Sequence, residues 1–233
     1  MYQLSIKQAS MKMTDEFDTR FHFPSTMIVS GASGSGKTMW IYRFLQQVKQ
    51  LMSEPPDRIL LCYGIYQPIY QEMMNTIENM SLSEGCDQET LEHLGVFDPS
   101  IKTVLILDDL HQEMAQNELL SKLFCKFSHH ANSMVIFVTQ NLYHKDSAMR
   151  DTTTNCHYLV CLAQPRDKSI IACLGRQMFP GKAAYLVSAY EQATEAPHGY
   201  LIVDALPGTP SKLRLRSGVF LDETDVAWLP VYK

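Results

Sequence analysis

Apolar residues fall along this chain in two rhythms. Unbroken runs such as Met27-Ile28-Val29, Ile59-Leu60-Leu61-Cys62, Val104-Leu105-Ile106-Leu107 and Met134-Val135-Ile136-Phe137-Val138 have no polar alternate positions. Such runs predict strands covered on both faces, at about 26–30, 58–63, 103–108 and 133–140, with another at 156–162. Between them apolar residues recur every three or four positions: Ile41, Phe44, Leu45, Val48 and Met52; Ile69, Met73, Ile77 and Met80; Leu119, Leu120, Leu123, Phe124 and Phe127; Ile170, Ile171, Leu174 and Met178. These predict helices, the first running to Met52 and the third covering Glu113 to Phe127. A further helix is predicted at about 183–193, and a short one at 88–94 inside an otherwise polar stretch, 81–100.

Breaks fall at Glu54-Pro55-Pro56-Asp57, Phe179-Pro180-Gly181 and Pro197-His198-Gly199, and Asp167 is placed to cap a helix. Residues 200–203 and 213–216 read as two strands joined by the turn Pro207-Gly208-Thr209-Pro210. Strands alternating with helices imply an α/β protein: a three-layer sandwich whose mostly parallel central sheet is flanked by helices, with antiparallel strands added near the C-terminus. The chain divides into an N-terminal arm (1–22), one domain (23–220) and a tail (221–233) that docks on a neighbour or on the body.

Composition narrows this modestly. With 233 residues and 45% hydrophobic content, one sizeable core is expected. A net charge of −5 means that no global basic field attracts nucleic acid. DNA contacts would have to come from local loops shared around an oligomer. Lys212, Arg214 and Arg216 alternate, which puts them on one strand face; that face either meets DNA or a neighbouring subunit, or is simply solvated. The six cysteines are scattered without a C-x-x-C pair, as in reduced, core-type thiols of an intracellular protein. No signal-peptide core precedes Asp18 and no apolar run approaches the ~20 residues of a membrane span, so a soluble protein is expected.

The candidate chemistry begins at Gly31-Ala32-Ser33-Gly34-Ser35-Gly36-Lys37-Thr38, between the first predicted strand and helix. This is the G-x-x-x-x-G-K-T spacing of a phosphate-binding loop. Glycines let successive amides turn inward to phosphate oxygens, and the helix N-terminus adds donors and partial positive charge. Lys37 can reach the β- and γ-phosphates of a nucleotide, and the Thr38 hydroxyl can bind Mg²⁺. A flexible Gly/Ser linker would not need the flanking strand and helix.

Two later strands end in polar groups. The run 104–107 leads into Asp108-Asp109, at the ligand edge of a parallel sheet. Asp108 can hold Mg²⁺ directly or through water, and Asp109 can orient or deprotonate an attacking water. The run 134–138 leads into Thr139-Gln140, and Gln140 can sense the γ-phosphate or position that water. His129-His130 lacks a third ligand at fitting spacing and reads as a loop or polar interface rather than a zinc site.

A family resemblance rests on these motifs and several more specific blocks. They are Cys62-Tyr63-Gly64 with Tyr66-Gln67-Pro68-Ile69-Tyr70; Leu107-Asp108-Asp109-Leu110; and Ser128-His129-His130-Ala131-Asn132-Ser133 leading to Thr139-Gln140-Asn141-Leu142. Further on stand Arg150, Asn155, His157-Tyr158, Pro165-Arg166-Asp167, Arg176-Gln177-Met178-Phe179-Pro180, Ala189-Tyr190 with Ala193-Thr194, and His198-Gly199-Tyr200-Leu201. Over about Phe23 to Phe220 the chain resembles the FtsK/HerA branch of P-loop NTPases. Within it, the chain is similar to poxvirus-type genome-packaging ATPases, especially those of Polinton/Maverick elements and adintovirus-like viruses.

The resemblance implies an ATP-hydrolysing ring motor that drives double-stranded DNA, without sequence specificity, into a preformed capsid. It implies ATP and Mg²⁺ as cofactors, capsid or portal-vertex proteins as partners, and action in the host cell at the site of virion assembly. It carries over Lys37 and Thr38 as nucleotide and Mg²⁺ ligands, Asp108 as the Mg²⁺ carboxylate and Gln140 as the polar sensor. Many relatives have glutamate where this chain has Asp109; a water relay would restore the reach. An arginine from the next subunit would complete the site, with Arg150 the first candidate and Arg166 and Arg176 in reserve. The alternative reading is a P-loop kinase acting on a small metabolite or nucleotide. A kinase needs an acceptor pocket and an arginine-rich lid, and the only arginine-rich stretch, 214–216, is predicted to be a strand.

Overall fold

The structure, a computed structural model, describes residues 8–9, 18–110, 119–127, 131–142 and 152–230. Its strands are β1 (Gln8–Ala9), β2 (Ser25–Ser30), β3 (Arg58–Tyr63), β4 (Met80–Glu84), β5 (Thr103–Asp108), β6 (Ser133–Thr139), β7 (Tyr158–Leu162), β8 (Tyr200–Asp204), β9 (Leu215–Ser217) and β10 (Val226–Trp228). The helices are α1 (Lys37–Gln46), α2 (Val48–Leu51), α3 (Pro68–Thr76), α4 (Gln88–His93), α5 (Leu119–Lys122), α6 (Ser169–Met178) and α7 (Ala183–Ala193). A π-helical turn, Leu123–Phe127, continues α5, and a 3₁₀ turn, Ser211–Leu213, precedes β9.

All strands join one sheet in the order β1-β10-β9-β8-β7-β2-β6-β5-β3-β4. From β7 to β4 neighbouring strands are parallel; β8, β9, β10 and β1 add antiparallel pairs. Every residue of β2, β5, β6 and β7 is buried, which is why their sequences show no polar alternation. Side chains still alternate between faces. Met27 and Val29 join α1, α2 and α3 in one core, while Ile28 faces a second core with α4, α5, α6 and α7. This is the expected three-layer sandwich.

Several expectations are corrected. The first helix does not run unbroken to Met52. Gln47 leaves helical geometry (φ −115°, ψ 13°), and its side-chain carbonyl accepts the Leu221 amide at 2.8 Å. The third-and-fourth spacing of Ile69, Met73, Ile77 and Met80 also overshoots. The helix ends at Thr76, whose hydroxyl donates back to the Glu72 carbonyl at 2.8 Å, and Ile77 is extended. Met80 instead opens β4, an edge strand within the stretch expected to be polar; its half-exposed serines obscured it.

The basic strand face is absent. Lys212 lies in the 3₁₀ turn, Arg214 follows it in helical conformation, and Arg216 is 5% exposed. Arg216 instead pairs with buried Asp204 at 3.2 Å and donates to the Thr19 carbonyl at 2.6 Å. The arm and the tail meet at the sheet edge, where β1 pairs with β10. Trp228 is held by Tyr185, whose hydroxyl donates to its carbonyl, and its indole donates to Ser217 at 3.1 Å. The tail therefore docks on the body. The cap expected of Asp167 is not made: the N-cap of α6 is Lys168, without a side-chain cap, and Asp167 one position earlier accepts the Ser169 amide (2.9 Å) and hydroxyl (2.5 Å). His129, His130, Lys145 and Arg150 lie outside the described residues.

Candidate nucleotide-binding site

The register of the parallel strands brings their polar ends to one edge. Ser30 at the end of β2 lies opposite Thr139 of β6 and Cys161 of β7, and Asp108 of β5 lies opposite Val138 of β6 and Tyr63 of β3. A cavity of about 860 Å³ opens there, lined by Ser33, Gly34, Gly36, Lys37, Thr38, Asp108, Asp109 and Gln140 among others. The sequence motifs, spread over more than a hundred positions, therefore share one site.

The loop 31–36 has the backbone that the spacing implies. Gly34 and Gly36 have φ of +76° and +98°, and Gly36 leads directly into α1. Gly31 is held by packing: a Cβ there would come within 2.8 Å of Leu162 and 2.6 Å of the Ser35 hydroxyl. Lys37 folds over the loop, its ammonium donating to the carbonyls of Gly31 (2.9 Å) and Ala32 (3.0 Å). Burial pushes the Lys37 amine below its ordinary value, against the pull of Asp108 and Asp109. A phosphate anion would relieve that burial cost.

Asp108 is 5% exposed. One carboxylate oxygen accepts from Tyr70 at 2.9 Å and from Thr38 at 3.4 Å. Burial raises its carboxyl above the usual range; the Tyr70 hydrogen bond opposes this, and the nearby Asp109 charge adds to it. Asp109 follows at the sheet edge, exposed, with φ of +56°. Its turn presses on Gly64, where a Cβ would stand 2.3 Å from the Asp109 carbonyl. Glycine at the end of β3 is thus needed for this carboxylate to sit where it does. Gln140 is exposed at the mouth, its backbone carbonyl held by Gln164 at 3.0 Å.

The donor set fits a hard divalent cation. Thr38 and Asp108 already bring a hydroxyl and a carboxylate together, and no group of three or more His, Cys, Asp or Glu able to hold a metal occurs among the described residues. Such a pair suits Mg²⁺, which keeps waters and shares nucleotide phosphates, better than zinc.

Two side chains at the site had no role assigned from sequence. Tyr70 is fully buried; it stood in the resemblance block 66–70, and its ring packs with Tyr63 and Tyr66. His198 comes from the turn before β8 and lines the same cavity. It stood in the resemblance block 198–201, but no spacing ties it to the loop, because the contact spans 163 positions. Arg166 and Arg176 are exposed, and Arg150 lies outside the described residues. Arg214 donates to the Asp204 carbonyl at 3.0 Å, so the arginine-rich stretch is committed to the antiparallel strands.

The poxvirus A32 protein family model matches residues 16–189. No curated protein matches the chain in sequence. Among solved structures, the DNA-packaging ATPase B204 of Sulfolobus turreted icosahedral virus is similar, with a TM-score of 0.56 at 12% identity, over 90% of this chain and 98% of that one. The genome packaging NTPase B204 of Sulfolobus turreted icosahedral virus 2 is similar over the same shares, with a TM-score of 0.48 at 12% identity. The cytoplasmic domain of the Thermomonospora curvata type VII secretion ATPase EccC has a TM-score of 0.48 at 14% identity, over 90% of this chain and 26% of that one. The first of these likenesses agrees with the P-loop ATPase fold of the sheet and loop. Through the family match, which spans most of its length, the chain belongs to the poxvirus A32 protein family, on the FtsK/HerA-type viral packaging ATPase branch that its motifs resemble.

Proposed function

We propose that the chain is the ATP-hydrolysing subunit of a ring motor that translocates double-stranded viral DNA into a preformed capsid. The observation that carries this reading is the single cavity gathering Lys37, Thr38, Asp108, Asp109 and Gln140 at the ends of β2, β5 and β6. In it the loop amides 33–36 and Lys37 bind the phosphates, with Lys37 giving up the Gly31 and Ala32 carbonyls for phosphate oxygens. Thr38 and Asp108 would hold Mg²⁺, which when bound neutralises phosphate charge. Gln140 orients a water, and Asp109 takes its proton as the water oxygen attacks the γ-phosphorus; the bond to the β,γ-bridging oxygen breaks, leaving ADP and phosphate. Water is a better acceptor here than a second metabolite, since the arginines 214–216 are tied up far along the sheet.

Packaging requires DNA contacts, and a subunit of net charge −5 has no global basic field to supply them. The ring would supply them by repeating local loops around a pore. Its further partners would be capsid or portal-vertex proteins, at the site of virion assembly. No helix among the described residues is long and apolar enough to cross a membrane. An ATPase assay with and without duplex DNA tests the reading. Hydrolysis should rise with DNA and be lost in Lys37→Ala and Asp109→Asn; phosphate transfer to a small acceptor would sink it.

A further inference from the structure

His198 stands on the opposite side of the phosphate loop from the carboxylates. In the sheet edge order β8-β7-β2-β6-β5, it precedes β8, while Asp108 ends β5. The loop follows β2, midway between them. If the reacting end of a triphosphate lies at Asp108 and Asp109, its other end points towards His198.

The residue is built into place. It belongs to a tight turn, 196–199, closed by the Gly199 amide donating to the Ala196 carbonyl at 2.9 Å, and has φ of +61°. Gly199 is pressed on by the end of α7, since a Cβ there would meet the Ala193 carbonyl at 2.3 Å. The next residue, Tyr200, is clamped between Trp40 of α1 and Phe220, at centroid distances of 5.8 and 5.7 Å, and its hydroxyl donates to Glu223 at 2.5 Å. The imidazole rests on the loop itself: a Cβ on Gly36 would stand 2.7 Å from its Nδ1. Nδ1 lies 3.5 Å from the Ser35 carbonyl. A carbonyl can only accept, so in the tautomer that donates from Nδ1 to Ser35, Nε2 is left as an acceptor.

We propose that His198 binds the nucleoside half of the nucleotide, its Nε2 accepting a hydrogen bond from a sugar hydroxyl. This rests on the phosphate-loop reading above and adds the residue that separates a nucleotide from a bare polyphosphate. The test measures binding of ATP, 2′,3′-dideoxy-ATP and inorganic tripolyphosphate to the full chain, as wild type, His198→Gly and His198→Asn. Both replacements tolerate a positive φ, so the turn is kept. ATP should bind the variants roughly 3- to 10-fold more weakly, the effect of one neutral hydrogen bond, with tripolyphosphate unchanged. Dideoxy-ATP should lose the same factor on the wild type and nothing more on the variants. Equal weakening of ATP and tripolyphosphate, or no weakening of either, overturns the assignment while leaving the phosphate loop intact. A wild type that binds neither ligand overturns the phosphate-loop reading itself, and this inference with it.

Discussion

Asp108 sits where its charge is costly, and that makes its role measurable. Its ordinary carboxyl value is 3.8, and folding raises it, so the folded state binds more protons than the unfolded state between the two values. Stability falls as pH rises through that interval, and the cost persists above it. Asp108→Asn should therefore raise Tm at neutral pH while abolishing hydrolysis. The gap should close as pH falls to the ordinary carboxyl value. A lower Tm in the variant would mean that the Tyr70 and Thr38 hydrogen bonds outweigh burial. Tyr70→Phe leaves the ring packed but frees the carboxylate; the Mg²⁺ concentration for half-maximal hydrolysis should rise about 3- to 10-fold with Tm little changed. Lys37, Thr38, Asp108 and Gln140 were legible in sequence because spacing and strand ends mark them. The places of Tyr70 beside Asp108 and of His198 beside the loop were not, because they come from packing between elements rather than from neighbours along the chain.

The buried strands were readable because a sheet covered on both faces demands unbroken apolar runs, and β3, β5 and β6 follow those runs almost to the residue. Elements at the periphery were not. β4 lies at an edge and mixes serine with Met80 and Leu82, so neither rhythm marks it. The break at Gln47 falls where its side chain meets Leu221, and the apparent basic stripe 212–216 dissolves because Asp204 draws Arg216 inward. That ion pair ties β8 and β9 to the N-terminal segment through the Thr19 carbonyl. Arg216→Ala should cost about 3–5 kcal/mol, since it leaves the buried Asp204 charge without its counter-ion, with only the Leu206 amide and Thr209 hydroxyl donating to it. Pairing it with Asp204→Asn should recover much of that loss in denaturant unfolding; no recovery would place the cost in lost packing instead.

Among the described residues the molecule is an acidic α/β body with a nucleotide-sized cavity at the sheet edge and exposed arginines, Arg166 and Arg176, outside it. On this account a lone subunit should bind duplex DNA weakly, with affinity falling steeply between 50 and 200 mM salt. Tight, salt-resistant binding by a monomer would contradict a DNA grip shared around a ring. An arginine reaching the neighbouring cavity would couple hydrolysis to assembly, and its loss should cut the rate by ~10³-fold or more. Coupling of hydrolysis to movement is the property that separates a packaging motor from any other P-loop enzyme. The deciding measurement is displacement of a third strand from a triplex on linear duplex DNA, followed alongside phosphate release. The account predicts displacement that requires ATP hydrolysis, stops with a non-hydrolysable analogue and is absent in Lys37→Ala. Hydrolysis indifferent to DNA, with no strand displaced, would contradict it.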